Sequence, residues 1–175
     1  MSAIDKNPGN FNMLSPLGFK FQIKKLPNVN FFLQTVNIPD ISLPQAIQPT
    51  PFVNVPLPGD HLTYGDLNIT FKVDEDFNNY IELHNWIRGL GFPENLAEYG
   101  NLARKSRTSG DGIYSDVSII ATTNLKNPNV EFAFQDAWPT YIGQFTFNTT
   151  PNDVNFISCQ AIFKYTLFNI EVLPV

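Results

Sequence analysis

The chain is short of charge. Only 15% of its 175 residues are Asp, Glu, Lys or Arg, against about 25% in an ordinary soluble domain. Such a surface is either solvated by Asn, Thr, Gln and Ser or covered by partner subunits, and the balance of composition favours covering. Cations are the scarcer sign: 11 Lys and Arg stand against 16 Asp and Glu, for a net charge of −5. That argues against a nucleic-acid clamp, which needs basic residues to replace phosphate counterions. It leaves room for a wall past which nucleic acid slides without sticking, because a mildly negative surface repels phosphate.

Reactive groups are also few. A single cysteine, Cys159, excludes an internal disulfide and reads as a small hydrophobe inside a strand. His61 and His84 are the only neutral-pH proton carriers. His61 follows Asp60 in a turn, and His84 reads as a packed or interfacial residue of a helix. There is no G-x-S-x-G nucleophile motif, no Gly-rich phosphate loop and no His/Cys pair at ligand spacing. Asp74-Glu75-Asp76 lacks the alternating oxygens, central Gly and distal Glu of a calcium loop. The expectation is no catalytic, cofactor or metal site. No apolar run approaches the roughly 18 residues needed to cross a bilayer. The N-terminus MSAIDKNPGNFNML lacks the apolar stretch of a secretory signal, so cytoplasmic synthesis is expected.

What is present is strand text. Hydrophobic residues make up 43% and aromatics 14%, with 16 Phe, and aromatic side chains suit a half-buried pleated surface. Residues 1–16 read as an extended arm. Phe19, Phe21 and Ile23 alternate with Lys20, Gln22 and Lys24, which predicts a strand over Gly18 to Leu26. Pro27-Asn28 predicts a turn, and Asn30 to Ile38 the return strand of a hairpin. Leu67, Ile69, Phe71 and Val73 give another strand. The period then becomes helical through Phe77, Tyr80, Ile81, His84 and Ile87, widened by Leu83, Trp86 and Leu90. Asp74 to Asp76 read as acids at that helix N-terminus, Gly89 and Gly91 as its stop. Pro93 to Arg104 has room for a short second helix.

Further strands are predicted over Ser115 to Thr123, Val130 to Asp136 and a short piece at Phe145 and Phe147. Ala137 to Gly143 reads as an aromatic corner that ends pairing, and Thr150 to Asp153 as a turn. Val154 to Val172 reads as one long strand with apolar residues on both parities, hence packed on both sides. Roughly seven or eight strands in hairpins with one good helix predict a mainly β antiparallel sandwich or barrel flanked by that helix.

Two stretches read as interfaces. In residues 39–60, Pro39, Pro44, Pro49, Pro51, Pro56 and Pro58 punctuate Ile41, Leu43, Ile47, Phe52, Val53, Val55 and Leu57. A disordered loop would not carry so many large apolar side chains. The expectation is a projecting hairpin or loop whose Ile47, Phe52, Val53, Val55 and Leu57 meet another molecule. Arg104, Lys105 and Arg107 form the only dense basic cluster, which is either a solvated face or the complement of Asp74, Glu75 and Asp76 on a neighbouring copy.

The order of these features resembles the tail-tube family of contractile-tailed phages. The resemblance runs from about Gly18 to Val172: the aromatic N-terminal strands, the projecting segment, Gly59-Asp60 leading into Leu62-Thr63-Tyr64-Gly65-Asp66-Leu67, the acidic Asp74-Glu75-Asp76, the helix bearing Trp86, and Trp138-Pro139-Thr140 before the last strands. It implies one tail-tube-like domain over 1–175, assembled as a homohexameric ring whose strands close one β-barrel around a lumen. Implied partners are adjacent tube, terminator or neck rings, tail sheath outside, and genomic DNA passing without sequence-specific binding. No membrane partner is implied, and the place is the virion. The lead-in Ser15-Pro16-Leu17-Gly18 and the ending Phe168 to Val175 depart from the repeating tube subunit. That favours the ring that terminates or completes the tube over the repeating subunit. An Asn/Thr/aromatic-rich β module that binds carbohydrate is the alternative from another class. It would stack sugars on Tyr64 or Tyr141.

Overall fold

Alternating text becomes strands, and their inward residues decide the pairing. The computed structural model describes residues 11–105, 112–149 and 155–173. β1 (Phe19–Ile23) lies antiparallel to β8 (Ser115–Thr122), with Phe21 opposite Ile119 and Ile23 opposite Val117. All four side chains are buried. β8 continues to β9 (Pro128–Ile142), and β9 to β11 (Leu167–Val172), so that Val117, Phe134 and Phe168 line up on one inward face.

β9 is long because it serves two sheets. Asp136 adopts φ 53°, a left-handed conformation, and the register shifts beside it. Such an irregularity bends a strand. Beyond it, β9 pairs with β10 (Ser158–Lys164), β10 with β7 (Leu67–Lys72), and β7 with β2 (Leu33–Val36), all antiparallel. Leu67, Ile69 and Phe71 of β7 face inward opposite Phe163, Ala161 and Cys159 of β10. The chain is therefore mainly β and antiparallel, with two sheets joined through β9 and no sheet closed among the described residues. Phe71, Phe163, Phe134 and Trp86 fill the shared core, each side chain contributing about 1.5–3 kcal/mol by leaving water.

The expected hairpin of Gly18–Leu26 with Asn30–Ile38 does not form. Pro27 instead starts a short helix, α1 (Pro27–Phe32), where its fixed φ and missing N–H cost nothing. The Asn30 side chain accepts from Ile23 N at 3.0 Å and donates to Ile23 O at 2.9 Å. Those bonds occupy the backbone groups of Ile23, and β2 then joins the other sheet. Among the described residues α1 is one of three helices, an addition to the one good helix and the short second one expected. α2 (Asn78–Gly91) carries the expected amphipathic face, rotated: Leu83 and Trp86 are buried, with Asn79 and Gly89, whereas Ile81 is 48% exposed and His84 is exposed. The ring of His84 stacks on Tyr80 at 6.3 Å rather than packing in the core. α3 (Leu96–Ala103) fills the place expected for a second helix, with Asn95 accepting from Ala97 N at 2.9 Å as its cap.

Gly89 is a packing position and not a stop. A Cβ there would lie 2.6 Å from Leu102 Cδ1, so its absence lets α3 sit against α2. The helix ends at Phe92, in a left-handed conformation with its N–H on Arg88 O at 2.8 Å. Two further expectations change. Ala137–Gly143 does not end pairing, since Trp138, Pro139, Tyr141 and Ile142 all pair with β10. Phe145 and Phe147 form no strand but pack on Phe77 and Tyr80 of the α2 N-terminal region.

The long final strand is two. It breaks at Tyr165–Thr166, where Thr166 N donates to Gln135 O at 3.0 Å and the chain crosses to the first sheet. Inward residues are odd-numbered in β10 (Cys159, Ala161, Phe163) and even-numbered in β11 (Phe168). The two apolar parities thus record a flip between two one-sided strands, not one strand packed on both sides. The turn expected at Thr150 to Asp153, the start of that strand at Val154, and most of the arm expected over 1–16 lie outside the described residues.

Candidate assembly surfaces

Residues 39–60 leave the body. β3 (Ile41–Ser42) pairs only with β6 (Thr63–Tyr64), and β4 (Gln45–Pro49) only with β5 (Asn54–Pro58), so neither pair joins the main sheet. The tip is a turn in which Thr50 N donates to Val53 O at 3.2 Å and Val53 N to Thr50 Oγ1 at 3.1 Å. Every residue from 40 to 58 is exposed. Phe52 at the tip is 97% exposed, and Ile47, Val53, Val55 and Leu57 stand out with it. Pro49, Pro56 and Pro58 sit within the paired strands. That is tolerated because both outer edges of the hairpin are open and need no donor. A two-stranded hairpin alone is marginal in water, and its apolar side chains find no cover in their own chain.

The root of this arm is tighter. Gly59 N donates to Pro44 O at 2.8 Å and Gly65 N to Asp40 O at 3.0 Å. A Cβ on Gly65 would lie 1.9 Å from Asp40 Oδ1, so glycine is what lets the carboxylate lie over the chain there. Tyr64 packs on Tyr165 at 6.0 Å and Phe168 at 5.7 Å between ring centres, tying the arm to the break between β10 and β11. Asp66 is ion-paired to Lys164.

A second apolar surface was not foreseen. Ile170 and Val172 follow Phe168 on the inward parity of β11 and pair with Phe132 and Val130, yet they are 58% and 77% exposed. The core ends before the strand does. Phe11, Met13, Leu14 and Leu17 are exposed as well. The alternation Phe168-Asn169-Ile170-Glu171-Val172 was the available signal, since it marks a one-sided strand.

The charged clusters lie apart. Asp74 to Asp76 do not cap α2. Phe77 stands at the N-cap with φ 59°, and the first turn holds no acid. The turn closes through Phe77 N to Asp74 O at 3.1 Å, and buried Asn79 anchors it by donating to Lys72 O at 2.7 Å. Asp74 Oδ1 is buried without a protein partner, while Glu75 and Asp76 are exposed. Arg104 and Lys105 are exposed beyond the end of α3, and Arg107 lies outside the described residues. Within one chain, no described ion pair joins the two clusters. Arg88 is held instead by Glu94 and by Glu98, the latter at 3.2 Å.

Reactive chemistry is sparse among the described residues. His61 and His84 are exposed, and no three His, Cys, Asp or Glu side chains stand close enough to hold a metal. Burial pushes the Cys159 thiol up, partly offset by its contact with Gly143 O at 3.2 Å. A cavity of about 140 Å³ lies among Leu102, Ala103, Lys105, Ile113 and Tyr114. No described helix is long and apolar enough to cross a membrane.

No known family model matches the chain. The tail tube terminator protein of Enterobacteria phage T4 is 25% identical over 171 residues, which cover 92% of this chain and 90% of that protein. The chain is thus similar to a contractile tail-tube component over nearly its whole length. Solved structures carry the same fold. The anti-feeding prophage tube terminating cap superposes with TM-score 0.67 at 14% identity, covering 99% of this chain and all (100%) of that one. The sheath/tube terminator of the PVC extracellular contractile injection system gives 0.64 at 14%, with 91% and 97% covered. The PVC sheath–tube complex gives 0.63 at 12%, with 92% and 93% covered.

Proposed function

We propose that this chain is the structural ring that ends the inner tube of a contractile tail. One observation carries the reading: similarity to a tube terminator extends over 92% of the chain. The superposition on a terminating cap across 99% of it adds support from the fold. In this reading six copies form a homohexamer, free strand edges of neighbouring copies complete one barrel, and the genome passes through its lumen. The ring sits between the last tube ring, the neck and the sheath. The protein is made in the host cytoplasm, resides in the virion and performs no catalysis.

The interface residues take their roles from this. Ile47, Phe52, Val53, Val55 and Leu57 of the arm seat on an adjacent ring, where the area they bury adds to affinity. Asp74, Glu75 and Asp76 of one copy meet Arg104, Lys105 and Arg107 of the next. That is a head-to-tail contact of the kind that closes rings. Deleting residues 46–56 and measuring assembly tests the arm: loss of association is expected, and an unchanged assembly overturns it. Copy number per virion tests the layer. One ring of six copies is expected, and many rings per tail overturn the terminator reading in favour of the repeating subunit. Electron microscopy of the purified protein distinguishes single rings from long tubes.

A further inference from the structure

Tyr165 stands where the arm joins the body, at the break between β10 and β11. It is 8% exposed, and its ring is packed by Phe134 at 4.9 Å, by Tyr64 at 6.0 Å and by Phe168 at 6.0 Å. Its hydroxyl is buried with no hydrogen-bond partner among the described residues. A buried donor without an acceptor costs free energy, so an arrangement that supplies one is favoured by that amount.

The groups around it show which arrangement. Burial first, then Tyr64, Asp40 and Asp66, push the hydroxyl up to about 12. It therefore stays protonated and able to donate at any physiological pH. Asp66 is already engaged by Lys164. Asp40 has no side-chain partner among the described residues; it immediately precedes β3 and lies over Gly65 on the arm's own strand. Among the described residues the ladder at this root pairs Ile41 with Tyr64 and Ser42 with Thr63, flanked by the bonds from Gly65 N to Asp40 O and from Gly59 N to Pro44 O. Asp40 is exposed, so its carboxylate can change rotamer while its backbone stays bonded to Gly65 and Tyr165 stays packed in the core.

We infer that Tyr165 is a positioning residue for the arm: its hydroxyl donates to the Asp40 carboxylate once the arm has seated on another copy, and lacks a partner in the free subunit. The inference rests on the proposed docking of the arm. Docking is thereby coupled to a charge-assisted bond at the root, stronger than a neutral one, that the isolated chain does not make.

The test is the full chain carrying Tyr165→Phe, Asp40→Ala or both. Thermal melting of the dilute subunit is compared with association measured by sedimentation. For Y165F the expected melting point is unchanged or higher by about 2–4 °C, because an unpaired buried hydroxyl has gone. Its association is expected to weaken about tenfold or more. Asp40→Ala weakens association to a similar extent, and the double variant loses no more than either single one. A merely structural tyrosine would lower the melting point. The inference is overturned if Y165F melts lower with association intact, or if neither quantity changes. Deletion of residues 46–56 separates the two claims. If the deletion leaves association intact, docking itself fails. If it abolishes association that Y165F preserves, only the role of Tyr165 fails.

Discussion

The body and the arm use the same apolar alphabet to opposite ends. In the body, Leu67, Ile69, Phe71 and Trp86 are almost wholly withdrawn from water. In the arm, Ile47, Phe52, Val53 and Val55 are exposed, and the strands pair only with each other. Both regions are β text, yet only one has a second layer to cover it. An apolar pattern in the sequence states that a surface needs covering and leaves open whether its own chain supplies the cover. Proline is denser in the arm, at Pro49, Pro56 and Pro58 of two five-residue strands, although the body also carries it, at Pro128 and Pro139 of β9. In β4 and β5 the outer edges are open, so proline there removes no bond to a further strand.

Substitution sharpens that contrast. Trp86→Ala should have the largest effect on folding. It opens a core cavity beside Phe163, removes the indole N–H bond to Ile113 O at 3.0 Å and uncovers Lys25 above the ring. A loss of about 3–5 kcal/mol is expected, read as a drop in denaturation midpoint. A midpoint near wild type would mean that the body is not held together as described. Asn79→Ala comes next. Asn79 is wholly buried and ties the start of α2 to Lys72 O, and losing that bond should cost about 1–3 kcal/mol. Hydrogen exchange should quicken at α2 more than at β1 and β8, and uniform quickening would contradict a local anchor. Phe52→Ser with Ile47→Ser belongs to the other side of the comparison. Folding stability should change by less than about 0.5 kcal/mol, while the association proposed for the arm is lost. A lower melting point for the isolated subunit would show that the arm is buried in its own chain after all.

The same distinction explains what could be read from the sequence. The strands at Phe19, Leu67, Ser115 and Val130 were legible because each is one-sided and alternates. The arm was legible because proline and large apolar residues rarely share a buried loop. The hairpin expected after Pro27 was not legible correctly. Its fate turns on one side chain, Asn30, bonding back to Ile23, and on a partner strand, β7, about thirty residues away. The acids at Asp74 to Asp76 misled for a related reason. A helix N-terminus attracts acids in general, but here Phe77 in a left-handed conformation fixes the start and a buried Asn79 anchors it. The parity flip at Tyr165 was written as two apolar faces and needed knowledge of two sheets to interpret. Ile170 and Val172 looked like core for the same reason, since the sequence carries no mark of where the covering layer stops.

The smallest predicted effect probes the seam between the two regions. Tyr165 is held neutral by burial, with Tyr64, Asp40 and Asp66 acting in the same direction, and its hydroxyl is raised from 10.0 to about 12. A group whose value is raised in the folded state binds its proton more tightly there than when unfolded. Its contribution is fully present below about pH 10, where both states are protonated, and is lost as pH rises through about 12. Other tyrosines and the lysines titrate in the same window, so the informative quantity is the difference between wild type and Y165F. Wild type should lose stability more steeply between about pH 10 and 12, so the two melting curves should separate with rising pH, Y165F above wild type. Absorbance of the tyrosinate should show one phenol fewer titrating late in the variant. Parallel stability curves through that range would place the hydroxyl in water, and with it the arm root on the exposed side of the comparison rather than in the core.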